Sequence, residues 1–119
     1  MEFALLFYID ERDFDDVTPE ANAKLQADCA REDEDLQAQG KLVVARALRP
    51  TSEAVTVRIR GSKVSRTDGP FAETKEHLGG LVIVRADSME EAIRIAESSP
   101  LAHYAKVEVR PAFDIRSVP

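Results

Sequence analysis

Phe3, Leu5, Phe7 and Ile9 alternate with Ala4, Leu6 and Tyr8 at the start of the chain, so a strand over Glu2 to Ile9 is apolar on both faces. A strand of that kind has to be covered on both sides. The pattern then changes period. Thr18-Pro19-Glu20 reads as an N-cap followed by proline in the first turn, and Gly40 supplies a stop, which predicts a helix over Pro19 to Gln39. Its apolar stripe is narrow, made of Ala21, Leu25, Cys29 and Leu36. Glu32 falls within that stripe and Asp28 on its margin, so each carboxylate needs solvent or a partner.

The strand period returns at Leu42 to Leu48, which Pro50 ends, and at Val55 to Arg60, which alternates strictly and therefore has one wet face. Gly61-Ser62 turns the chain into a short return strand, Lys63 to Thr67, completing a hairpin. Leu81 to Ala86 is again apolar on both faces. Ser88-Met-Glu-Glu91 is a capping box that opens a second helix with Met89, Ala92, Ile93 and Ala96 inward, and Pro100 closes it. A last strand runs from Lys106 to Phe113.

This order, β-α-β, hairpin, β-α-β, predicts an α+β fold: a ferredoxin-like, split βαβ antiparallel sheet with an inserted β-hairpin and helices on one face. The first and third core strands should be central. Their second apolar face then needs another layer, which leads to the expectation of a homodimer packed sheet to sheet.

Composition sharpens this picture in three places. The 119 residues, 44% hydrophobic and 32% charged, suit one domain over 1–119, and the apolar run Phe3 to Ile9 is too short to span a bilayer. The single cysteine, Cys29, is expected as a small core residue of a reduced, cytoplasmic protein. Of the net charge of −6, residues 10 to 35 carry 11 of the 22 acids against 3 of the 16 bases. That balance argues against a nucleic-acid partner, because the phosphate backbone requires a basic face. Two histidines 26 positions apart, without a cysteine cluster, give no metal site, and no cofactor is expected.

The most specific stretch is DGPFAETKEHLGG, Asp68 to Gly80. Asp68-Gly69-Pro70 is turn chemistry. Glu73, Lys75, Glu76 and His77 then precede Gly79-Gly80 at the mouth of a central strand, where missing side chains admit a ligand or another backbone. Glu73 and His77 would meet if one helical turn joined them. This stretch, with the LLFYID strand, Thr18-Pro19-Glu20 and the VEVRP end at Val107 to Pro111, resembles the DGPF group of the YCII-related proteins. The resemblance implies a ferredoxin-like, dimeric α/β-barrel domain, with a His-Asp site in some relatives that act on oxygenated rings. It also implies a link to sigma-factor systems for some group members. His103 matches a histidine common before the VEVRP strand, whereas His77 and Ile9 stand where the family pattern more usually has Gln and Gly.

Two functions follow as expectations. The first is binding of a small polar or cyclic carbonyl compound at the DGPF loop, with proton transfer or elimination by His103 as base and Asp68 as its orienting acid. Lys75 would hold a substrate anion and Tyr8 would donate to an oxyanion, with Glu73, Glu76, Gly79 and Gly80 completing the wall. The second is a non-catalytic dimeric module for a ligand or regulatory partner. An enzyme requires Asp68, His103 and Lys75 to converge on a cavity; a module leaves them dispersed or paired with one another.

Overall fold

A computed structural model describes residues 1–117. Its elements are β1 (Glu2–Asp10), α1 (Pro19–Ala38), β2 (Leu42–Ala47), β3 (Val55–Arg60), β4 (Lys63–Asp68), β5 (Glu76–Arg85), α2 (Met89–Glu97) and β6 (Lys106–Ala112). Short 3-10 turns at Glu11–Phe14, Thr51–Glu53, Pro100–His103 and Ile115–Ser117 link or follow them. The main sheet has the order β2-β5-β1-β6, and β3-β4 form a separate ribbon. All pairings are antiparallel. This is the ferredoxin-like arrangement, with the two doubly apolar strands β1 and β5 at its centre.

The core lies on the helix side of the sheet. Phe3, Leu5 and Phe7 of β1 and Val84 of β5 are buried there against Ala92, Ile95 and Ala96 of α2 and Leu36 of α1. Thr18 Oγ1 caps α1 by accepting from the Ala21 amide at 3.1 Å, and Ser88 Oγ accepts from Glu91 N at 3.2 Å. The Glu91 carboxylate accepts from the Asp87 amide and pairs with Lys41, so it ties α2 to the start of β2. Glu32 finds the partner its position demanded: Ser98 Oγ donates to it at 3.1 Å. Asp28 takes Lys24 and Arg31.

Three details differ from the sequence reading. β5 begins at Glu76, five residues before the apolar run, because pairing with β1 and β2 continues through the glycines, with a register shift at Phe7/Tyr8. The backbone between Glu73 and His77 is bent and then extended, with no helical turn. Cys29 is only partly buried and stands outside the main core. Its thiol is pushed up by burial and by the Asp33 charge, so it is a weak nucleophile.

The ribbon β3-β4 projects. The radius of gyration, 16.5 Å, exceeds the about 13–14 Å of a compact chain of this length. Val57 and Ile59 on the ribbon are 59% and 67% exposed.

Candidate functional site

At the end of β1 the chain turns sharply because Asp10 caps the Glu11–Phe14 turn. Its carboxylate accepts from the Arg12 amide at 3.0 Å and from the Arg12 guanidinium, Nε at 3.1 Å and Nη2 at 2.7 Å. Those hydrogen bonds, with the positive charges of Arg12 and Lys75, hold the Asp10 carboxyl down at about 2. Beside this pair lies a cavity of about 350 Å³, lined by Asp10, Arg12, Thr51, Thr74, Lys75 and His77 among others. A neighbouring cavity of about 340 Å³ shares Thr51, Thr74 and His77 and reaches Gly69, Pro70 and Glu73. The DGPF segment is thus the wall of two adjoining cavities.

Local chemistry sets that wall. Gly69 has φ +97, a conformation a side chain resists, and its amide donates to Ala54 O at 2.7 Å while its carbonyl accepts from Thr56 Oγ1 at 2.9 Å. The loop is pinned to the base of the ribbon. Thr74 Oγ1 donates to the Glu76 carbonyl, which shapes the backbone between Lys75 and His77.

Of the residues singled out in the sequence, Lys75 lines the first cavity and Glu73 the second. Glu76 is engaged by Lys106 in an ion pair that raises the lysine. Tyr8 donates its hydroxyl to Glu108 at 3.3 Å and lines neither cavity. Asp68 is exposed at the end of β4 opposite Val55, and His103 is exposed at the end of the Pro100–His103 turn. Neither of these two lines any of the cavities described here. Asp10 and Arg12 were missed; the available signal was an Asp two residues before an Arg at a strand end.

Gly79 and Gly80 line a third, larger space, a cleft of about 510 Å³ between α1 and the sheet. Ile9 forms part of the same wall. Where Gly79 would carry a Cβ, the Ile9 Cγ1 stands at 2.9 Å and its Cδ1 is closer still; a Cβ on Gly80 would meet the Arg46 carbonyl at 3.1 Å. Ile9 and Gly79, flanked by Asp10 and His77, therefore lie between the apolar cleft and the charged cavity. Among the described residues no group of three or more His, Cys, Asp or Glu could hold a metal ion, and no helix is long and apolar enough to cross a membrane.

A four-stranded antiparallel sheet of this order, with two helices on one face and a charged cavity at one end of its central strands, defines a ferredoxin-like α+β domain. The YCII-related domain pattern matches residues 1–116, and the chain belongs to that family. An uncharacterised protein of Rhizobium meliloti (strain 1021) is 33% identical over 113 residues, covering 93% of this chain and 91% of that protein. Among solved structures, the chain is similar to 5-chloro-2-hydroxyhydroquinone dehydrochlorinase (TftG) from Burkholderia phenoliruptrix AC1100, in complex with 2,5-dihydroxybenzoquinone. The TM-score is 0.56 and the identity 17%, over 98% of this chain and 97% of that one.

Proposed function

We propose that this chain binds a small oxygenated ring compound in the charged cavity at the DGPF loop and moves a proton there. The observation that carries the reading is the meeting of Asp10, Arg12, Lys75 and His77 on one cavity of about 350 Å³, a volume suited to a single ring. In this reading the His77 imidazole takes a proton from a ring hydroxyl or from a carbon next to a carbonyl. With the ring in its keto form, which a trihydroxybenzene reaches by moving one hydroxyl proton to the carbon that bears the leaving group, the electron pair left behind forms a carbonyl or carbon–carbon double bond and expels the leaving anion. Lys75 and Arg12 stabilise the negative charge that develops on oxygen. Asp10, held ionised by Arg12, orients the imidazole or the substrate hydroxyl. The likeness in fold to a dehydrochlorinase supports a ring substrate and an elimination of this balance.

The roles first assigned to His103 and Asp68 pass in this reading to His77 and Asp10. Asp68 and His103 join the chemistry only where a second copy carries them to the cavity. The second copy itself is part of the proposal. Ala4, Leu6, Leu81 and Ile83 are half-buried on the sheet face away from the helices, and a sheet-to-sheet homodimer would cover them.

A non-catalytic binding module is the second reading, favoured by the pairing of Asp10 with Arg12 and of Glu76 with Lys106. Chloride release from a chlorinated trihydroxybenzene separates the two. Release that is lost in His77→Gln supports the enzyme, whereas tight binding of the ring without release supports the module.

A further inference from the structure

A ring bound beside Lys75 fills one of the two cavities that meet at the DGPF loop and leaves the other, of about 340 Å³, without an occupant. The two share Thr51, Thr74 and His77, so one molecule can extend from the first into the second. The stretch Glu73-Thr74-Lys75 divides them. Glu73 lines only the second cavity and Lys75 only the first, while Thr74 between them lines both. Two residues of chain span at most about 7 Å, a distance that a ring with a two-carbon arm can bridge.

The two ends differ in charge. The first cavity has Arg12 and Lys75 against Asp10 and Glu11, with Arg12 already held by Asp10 at 2.7 Å. The second has Glu73 as its one carboxylate, and no lysine or arginine lines it. Arg49, just before this region, is held by Glu53 at 3.0 Å, and Lys106 is held by Glu76. Glu73 has no ion-pair partner among the described residues. Thr51 and Ser52 add two hydroxyls to the same wall. That wall is fixed in advance: Gly69 is pinned to Ala54 and Thr56, Pro70 restricts the chain after it, and the Ala54 amide closes the Thr51–Glu53 turn on the Thr51 carbonyl at 3.0 Å.

We propose that the second cavity is a subsite for a cation, so that the substrate class is a hydroxylated ring with a short arm ending in an ammonium group. The inference rests on the reading that the ring itself binds in the first cavity. The ring then lies at Lys75 and His77 and the arm passes Thr74. An ammonium has three N–H donors and no acceptor, and the Glu73 carboxylate with the Thr51 and Ser52 hydroxyl oxygens supplies three acceptors. A carboxylate arm meets an uncompensated like charge there, and an alkyl arm leaves the acceptors without a partner.

Three catechols that differ in the end of the arm test this: dopamine, 4-ethylcatechol and dihydrocaffeate. They are titrated under nitrogen at low ionic strength and followed by NMR at Ser52, Glu73 and His77, with 2,5-dihydroxybenzoquinone as the ring without an arm. Dopamine should bind tightest, about fivefold or more above 4-ethylcatechol, with dihydrocaffeate weakest and the differences shrinking as salt is added. Glu73→Gln should bring dopamine to the affinity of 4-ethylcatechol, and Glu73→Lys should reverse the order in favour of dihydrocaffeate. Glu73 is exposed, so neither change threatens the fold. Binding of the armless ring together with equal affinities for the three catechols, or an amine preference that survives Glu73→Gln, would overturn the cation subsite and leave the ring reading in place. No saturable binding of the armless ring or of any catechol would overturn both.

Discussion

The Ile9 side chain occupies the space that a Cβ on Gly79 would need, with Cγ1 2.9 Å from that position. The two residues come from neighbouring central strands at the register shift of β1 on β5, where an extra residue on β5 stands opposite Phe7/Tyr8. Gly79→Ala should therefore cost about 1–3 kcal/mol by overpacking, as such insertions typically do. Ile9→Ala should remove most of that cost when the two changes are combined. Gly80→Ala should cost a similar amount, because it meets the backbone carbonyl of Arg46, and Ile9→Ala should not relieve it. Chemical denaturation of the single and double variants reads the coupling directly.

The Asp10–Arg12 pair makes a prediction about acid. Because the folded carboxyl sits at about 2, below its ordinary 3.8, the pair favours the fold above pH 3.8, and that contribution is lost as the pH falls through 2. Arg12→Met should move the Asp10 midpoint up toward 3.8. Carboxyl carbon NMR titration follows it, and a midpoint unchanged by the substitution would mean that the guanidinium is not the cause.

Asp33 works in the opposite sense. Its folded carboxyl is raised, so the charged form is penalised in the fold at neutral pH, and the penalty fades as the pH falls through the raised value toward 3.8. Asp33→Asn should raise the melting temperature at pH 7 and leave it unchanged at pH 3. Thermal scans at the two pH values provide the check.

The open sheet face predicts assembly. Ile83→Arg or Leu6→Arg, on the face away from the helices, should give monomers or aggregates where the unaltered chain sediments as a dimer at micromolar concentration. A monomer for the unaltered chain would remove the homodimer from the account.

Much of the fold was legible because alternation and capping are local. Phe3 to Ile9 announces a central strand, and Thr18 and Ser88 mark helix starts that the structure reproduces. The early start of β5 was hidden because Glu76 to Gly80 lacks apolar alternation, and its pairing is imposed by β1 and β2 from a distance. The same holds for the site. Lys75 and Glu73 were legible as part of an unusual loop, but Asp10 reads in sequence as an ordinary strand-end turn. The cavity beside it depends on Arg12 folding back and on Thr74, Lys75 and His77 lining the same space. The cleft was half legible: the narrow stripe of α1 was visible, whereas the small floor beneath it required knowing that Ala45 and Ala47 lie opposite Val82 and Gly80.

The proposed occupant of the charged cavity is an oxygenated ring. Titration of 2,5-dihydroxybenzoquinone into the isotopically labelled chain, read by backbone and side-chain NMR, tests it most directly. The account predicts saturable shifts at Asp10, Arg12, Thr74, Lys75 and His77, with affinity about tenfold weaker in Lys75→Met, the loss expected for one charge-assisted hydrogen bond. Shifts at the cleft residues instead, or no saturable shifts at the DGPF loop, would contradict it.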